Sequence, residues 1–176
     1  MHLIILPGNS KKYNEQWLYD SEKHLKDFFE GVTTHYYKHW KNDTDSIDLD
    51  HEVNELVKEA KDLDKYVIYA KSAGIVTTIK ALNQNKISPK KCIFAGSPFK
   101  WAAENDPKFK DRFENLQTPI LFIQQTNDPF FEYEELEKFL EKNPPENYQL
   151  IEIVGDNHAY DNYEELKQMV IDFVNL

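Results

Sequence analysis

The sequence predicts a three-layer α/β/α fold, in which helices cover both faces of a parallel β-sheet. Short apolar runs rich in β-branched and aromatic residues recur along the 176 residues, and longer stretches with apolar residues at helical spacing separate them. The runs are almost continuously apolar, which is typical of strands that are buried on both faces. Strands that alternate with helices in this way form parallel sheets.

Six strands are predicted from the apolar runs, and they span residues 2–6, 32–37, 66–70, 92–95, 120–124 and 149–154. Apolar residues at helical spacing predict helices within residues 17–29, 53–60, 75–82, 130–140 and 163–174. These helices lie between the strands or after the last one, so strands and helices alternate. Because no internal repeat or flexible linker interrupts the pattern, we expect one domain over residues 1–176.

Composition and charge exclude several classes of protein. The formal net charge is −10, which repels a phosphate backbone, so we expect no nucleic-acid partner. The first apolar run stops at Pro7-Gly8 and is too short to span a bilayer, so we expect no membrane partner either. The single cysteine, Cys92, cannot form an internal disulfide, and its place in a strand predicts a buried, inert thiol. We therefore expect a soluble, cytoplasmic protein.

The third predicted strand runs directly into Lys71-Ser72-Ala73-Gly74 and then into a helix. This strand, turn and helix is the context in which a G-x-S-x-G serine is exposed above a sheet, although Ala70 stands at the position of the first glycine. Ser72 is therefore the candidate nucleophile. The alternative is that Ser72 only caps the helix that follows.

A serine nucleophile needs an imidazole to accept its proton and a carboxylate to orient that imidazole. Asp128 follows the fifth strand, and His158 is the one histidine that follows the last strand, so both lie at carboxyl ends of strands. Asp156 and Asp161 are alternative acids, but they lie beyond a different strand from Asp128. The order Ser, Asp, His is the one typical of this kind of α/β sheet.

The tetrahedral intermediate of acyl transfer also needs backbone donors for its oxyanion. We predict that one is the amide of Ala73, which follows the nucleophile. The turn after the first strand, Pro7-Gly8-Asn9, supplies the other from Asn9.

The chain resembles the α/β-hydrolases, and among them the small serine hydrolases related to retinoblastoma-binding protein 9. The resemblance is carried by Trp17 and by four short segments spread along the chain, Pro7-Gly8-Asn9, Lys71-Ser72-Ala73-Gly74, Asn127-Asp128-Pro129 and Asn157-His158. It implies a sheet of strand order 2-1-3-4-5-6 that lacks the first two strands of larger hydrolases. It also implies a triad of Ser72, Asp128 and His158, with the oxyanion held near Asn9 and Ala73.

Residues 98–117 lie between the fourth and fifth strands, beside the predicted site. The segment is too short for a large lid, which predicts an open, shallow site. Three aromatic side chains are candidates to line it, Phe99, Trp101 and Phe130, although aromatic residues in a connecting helix also serve simply to pack it. Lys71 is expected to be solvated rather than to act as a base.

No metal or cofactor is predicted. His35 and His39 lie near a group of acidic residues, Asp43, Asp45, Asp48 and Asp50, but lack the paired spacing on a helix that indicates a zinc site.

The predicted function is a serine hydrolase that cleaves a small-molecule ester or related acyl bond. The alternatives are an acyltransferase or amidase with the same residues, or a non-catalytic interaction module on a hydrolase scaffold. The sequence leaves the oligomeric state open.

Overall fold

The computed structural model of the protein describes residues 1–41, 47–106, 108–113 and 116–175. Its sheet has six parallel strands in the order β2-β1-β3-β4-β5-β6, which confirms the prediction. The strands are β1 (His2–Leu6), β2 (Gly31–Thr34), β3 (Tyr66–Lys71), β4 (Cys92–Ala95), β5 (Ile120–Gln125) and β6 (Tyr148–Ile153).

Helices connect the strands in the predicted alternation. They are α1 (Lys11–Leu25), α2 (Leu49–Ala60), α3 (Ala73–Asn83), α4 (Phe99–Asn105), α5 (Tyr133–Lys142) and α6 (Tyr163–Asn175). Three short 3₁₀ helices accompany them, Lys26–Phe28, Lys38–Lys41 and Lys110–Phe113.

Helices α1 and α2 begin six and four residues earlier than predicted, at Lys11 and Leu49. The predicted end of β2 and the predicted start of α5 were each wrong by three residues, and hydrogen bonds explain both. Strand β2 ends at Thr34: the His35 amide still donates to the Ile5 carbonyl, and beyond it the Tyr37 side chain bonds to the turn after β1 while the His35 side chain bonds to α2. Helix α5 begins at Tyr133, because the Asp128 carboxylate accepts the amide of Phe130 and keeps that residue in a turn. The Glu135 side chain then accepts the amide of Glu132 and starts the helix.

The strands separate two apolar cores, because successive side chains point to opposite faces of the sheet. One core joins Ile68 and its neighbours to α2, α3, α4 and α5, and the other joins Tyr69 and its neighbours to α1 and α6. Cys92 is fully buried in the first core, and this burial raises the pKa of its thiol far above the usual value. Since all strands are parallel, their carboxyl ends lie at one edge of the sheet, where the loops after β1, β3, β5 and β6 meet.

Candidate active site

Ser72 lies on a strained turn between β3 and α3. Its φ of 51° and ψ of −117° together define a backbone conformation that a residue with a Cβ rarely adopts. The turn is held because the Ser72 amide donates to the carbonyl of Ala95 at 3.2 Å and its carbonyl accepts from Ile75 at 2.9 Å. The Ser72 side chain makes no capping hydrogen bond to α3, so the hydroxyl does not serve the helix.

Gly74 lets α3 start directly against β1. A Cβ placed on Gly74 would lie 2.7 Å from the Cβ of Leu6 and 2.8 Å from its carbonyl oxygen, closer than such atoms approach in proteins. The amide of Gly74 instead donates to the Pro7 carbonyl at 3.1 Å. The turn that carries Ser72 is therefore fixed to the turn that follows β1.

Asp128 and His158 form a hydrogen-bonded pair at the same edge of the sheet. The distance from His158 Nδ1 to Asp128 Oδ2 is 2.7 Å, and Asp128 is 1% exposed. Tyr160 Oη also donates to Asp128 Oδ2 at 2.8 Å, and the Phe130 amide donates to Oδ1 at 2.9 Å. The structure thus pairs His158 with Asp128 rather than with Asp156 or Asp161.

The second ring nitrogen of His158 remains available for chemistry. With Nδ1 donating its proton to the carboxylate, Nε2 of the neutral ring is an acceptor. Nε2 is buried and has no hydrogen-bond partner among the described residues. His158 and Ser72 line the same cavity, so the imidazole and the serine face a common space.

Three residues that the sequence analysis missed hold His158 in place. Gln125 Oε1 accepts the amides of Asn157 and His158 at 3.1 and 3.0 Å, and Tyr160 Oη donates to Asp128. Gly96 has a φ of 70°, and a Cβ there would lie 2.5 Å from the Tyr160 ring and 2.9 Å from His158 Cε1. One sequence signal was present, because Gln124 and Gln125 are polar residues at the end of an apolar strand.

The cavity has a volume of about 510 Å³, in the range of small-molecule sites. The predicted residues Asn9, Ser72, Ala73, Trp101, Phe130 and His158 all line it, and Asp128 lies behind His158. Ala73 is the first residue of α3, so its amide is not used by the helix hydrogen bonds.

The prediction that Phe99 lines the pocket was wrong. Phe99 is 1% exposed, and its ring packs in the core against other phenylalanine rings at centroid distances of 5.0 to 5.1 Å, those of Phe109, Phe113 and Phe139. As the first residue of α4, it points toward the sheet, whereas Trp101 lies on the cavity side of the same helix.

The expectation of a solvated Lys71 was also wrong. Lys71 is 3% exposed and lines the cavity, and its Nζ lies 5.4 Å from the centroid of the Trp17 ring. Burial lowers the pKa of Lys71 to about 8, against the opposing attraction of Asp128 and Asp161. The cavity therefore contains a buried amine beside the candidate nucleophile.

The histidines that were considered as metal ligands have other partners. His35 is buried between Glu52 and Glu59, and His39 bonds to the carbonyl of Asn9. In the part of the chain that the structure describes, no group of three or more His, Cys, Asp or Glu side chains is arranged to hold a metal ion. Asp43 and Asp45 lie outside the described residues. Among the described helices, none is both long and apolar enough to cross a bilayer.

A family model described as an alpha/beta hydrolase domain matches residues 32–169. The chain belongs to the alpha/beta hydrolase family. A search of curated protein sequences returns no match to this α/β-hydrolase.

Solved structures share the fold of this α/β-hydrolase at low sequence identity. Est1E from Butyrivibrio proteoclasticus, solved with ferulic acid, is 19% identical with a TM-score of 0.74, over 99% of this chain and 88% of that one. The Pyrococcus furiosus esterase Pf2001 is 17% identical with a TM-score of 0.74, over 99% and 80%. YbtT, a type II thioesterase of the yersiniabactin pathway, is 12% identical with a TM-score of 0.62, over 99% and 91%.

Proposed function

We propose that this α/β-hydrolase is a serine hydrolase that cleaves a small ester or a related acyl bond. The observation that carries the proposal is the hydrogen-bonded pair of His158 and Asp128. The Nε2 atom of His158 has no hydrogen-bond partner among the described residues, and His158 lines the same cavity as Ser72. The strained turn at Ser72 supports the same function, because strain is retained where a site requires it.

In the proposed mechanism, Ser72 Oγ attacks the acyl carbon while His158 Nε2 accepts its proton. Asp128 keeps the ring in the required tautomer and stabilises the imidazolium. The amides of Asn9 and Ala73 bind the oxyanion, and the imidazolium returns its proton to the leaving group. Water then attacks the acyl-enzyme by the same steps, which releases the acid and restores Ser72.

The size of the cavity favours a small substrate, and no large lid covers it among the described residues. Two of the structural neighbours are named as an esterase and a thioesterase, which supports acyl-bond cleavage as the reaction class. Within the α/β-hydrolases, we assign the chain to the small serine hydrolases related to retinoblastoma-binding protein 9. The motifs around Asn9, Ser72, Asp128 and His158 support this assignment.

Labelling by a fluorophosphonate probe tests the nucleophile. We expect the wild-type protein to be labelled and Ser72→Ala to remain unlabelled. Ser88→Ala is the matched control, because Ser88 is exposed and distant in the chain, and it should be labelled like the wild type. Equal labelling of wild type and Ser72→Ala, or of neither, would contradict the proposal, and the second result would favour a non-catalytic module.

A series of p-nitrophenyl esters tests the substrate size. We expect kcat/KM to be highest for short acyl chains and to fall once the chain exceeds the length that the cavity holds. A preference that keeps rising with chain length would contradict a small acyl substrate.

A further inference from the structure

The segment after β2 contacts the turn after β1 through three polar side chains. Tyr37 Oη donates to the carbonyl of Pro7 at 2.6 Å. The carbonyl of Asn9 accepts two hydrogen bonds, from His39 Nε2 at 2.9 Å and from Trp40 Nε1 at 2.7 Å. All three donor residues are buried, and they come from one short stretch of chain.

These bonds fill the acceptor capacity of both carbonyls. A carbonyl oxygen has two lone pairs. The Pro7 oxygen accepts from Tyr37 and from the amide of Gly74, and the Asn9 oxygen accepts from His39 and Trp40. Because both acceptor positions of each carbonyl are used, each of these peptide groups has one favourable orientation.

The two fixed peptide groups flank the one that matters for the proposed mechanism. The Pro7 carbonyl belongs to the peptide before Gly8, and the Asn9 carbonyl belongs to the peptide after Asn9. Between them lies the planar Gly8–Asn9 peptide, which carries the amide proposed to bind the oxyanion. The Gly8 amide is also held, because it donates to Asn14 Oδ1 at 3.2 Å.

A buried charged cluster anchors the donor segment to α2. His35 contacts Glu52 Oε2 through Nε2 at 3.0 Å and Glu59 Oε2 through Nδ1 at 2.8 Å. Glu52 Oε1 accepts the amide of Lys38 at 3.0 Å, at the start of the 3₁₀ helix that carries His39 and Trp40. The segment that carries the donors is therefore also bonded to α2.

We infer that Tyr37, His39 and Trp40 are positioning residues that fix the Pro7–Asn9 turn so that the Asn9 amide faces the oxyanion. This inference rests on the proposed function, because it assigns a role to residues that do not line the cavity themselves. A segment that only covered the sheet edge would need apolar contacts, and it would not need three donors directed at two carbonyls of one turn.

Side-chain pairs that differ in one donor test the inference. Tyr37→Phe removes the hydroxyl and keeps the ring. His39→Met removes the donor at similar size, whereas His39→Gln retains an N–H at the same reach. Tyr36→Phe is the control for Tyr37→Phe, because Tyr36 is the next residue along the chain and is half-exposed.

The measurements are kcat and KM for a p-nitrophenyl ester, and the inhibition constant of an aryl trifluoromethyl ketone, which forms an oxyanion adduct with serine. We expect Tyr37→Phe and His39→Met to lower kcat at least tenfold and to leave KM within twofold. The inhibition constant should rise by a factor similar to the loss in kcat. His39→Gln should remain within threefold of wild type, and Tyr36→Phe should be unchanged.

Three results would overturn the inference. The first is an unchanged kcat in folded Tyr37→Phe and His39→Met. The second is a loss of kcat that is equal in His39→Gln and His39→Met. The third is a rise in KM of Tyr37→Phe and His39→Met without a fall in their kcat. Thermal melts check that each variant folds. If Tyr37→Phe does not fold, the comparison of His39→Met with His39→Gln tests the inference alone. A wild-type protein that the fluorophosphonate does not label at Ser72 overturns the proposed function and the inference together, whereas labelled variants of full activity overturn the inference alone.

Discussion

The backbone of Ser72 opposes the stability of the fold, because its φ of 51° strains any residue with a Cβ. Ser72→Gly removes the Cβ and the strain, whereas Ser72→Ala removes only the hydroxyl. We expect both variants to lose ester hydrolysis, and we expect Ser72→Gly to be more stable than Ser72→Ala by roughly 1–2 kcal/mol. Urea unfolding measures the difference, and a glycine variant less stable than the alanine variant would contradict the assignment of strain.

A second prediction at the residue scale concerns Gly96, where an added Cβ would press on His158 and Tyr160. We expect Gly96→Ala to destabilise the fold by about 1–3 kcal/mol and to lower kcat at least tenfold, because the base would move. Gly31→Ala is the control, since its Cβ would meet the His2 ring at 2.7 Å far from the cavity. Gly31→Ala should lower the free energy of unfolding but leave kcat unchanged. Equal kcat values in folded Gly31→Ala and Gly96→Ala would contradict the prediction.

At the scale of elements, the sequence predicted the strands and helices well because their apolar periodicity is a local signal. The end of β2 was less predictable, since the side chains of His35 and Tyr37 bond there to residues distant in the chain. The start of α5 was missed because local hydrogen bonds, which Asp128 and Glu135 accept from backbone amides, override the apolar pattern. Tyr160 and Gln125 were missed because their partners are distant in the chain. The arrangement of a site at strand ends follows from topology, but the residues that support it follow from three-dimensional packing.

The junction of β2 and α2 should make stability depend on pH through His35. Burial lowers the pKa of His35, but hydrogen bonds to Glu52 and Glu59 outweigh burial and raise it to about 9 from an ordinary value of 6.5. The stabilisation is therefore fully present below pH 6.5 and is lost as the pH rises through 9. We expect it to reach roughly 3 kcal/mol. The free energy of unfolding should exceed that of His35→Gln at pH 6, and the gap should narrow toward pH 10; a constant gap would contradict this prediction.

For the molecule as a whole, the carboxyl edge of the sheet carries groups that lower stability, and Lys71 is the clearest of them. The residue is buried beside the cavity, and among the described residues its ammonium has no ion-pair partner. Burial lowers its pKa to about 8 from 10.5, so the charged amine destabilises the folded state at neutral pH. A hydrocarbon side chain of similar length would avoid that cost.

We therefore expect Lys71→Met to raise the free energy of unfolding at pH 7 by about 1–3 kcal/mol. The gain should shrink as the pH rises from 8 to 10.5, because the wild-type amine loses its proton in the folded state while the unfolded chain keeps it. Lys91→Met is the matched control, since Lys91 also lies over an aromatic ring, that of Phe173, but donates to a carbonyl at 2.7 Å. It should give no gain. If both substitutions raised stability equally, added apolar surface would explain the effect, and the buried charge of Lys71 would not.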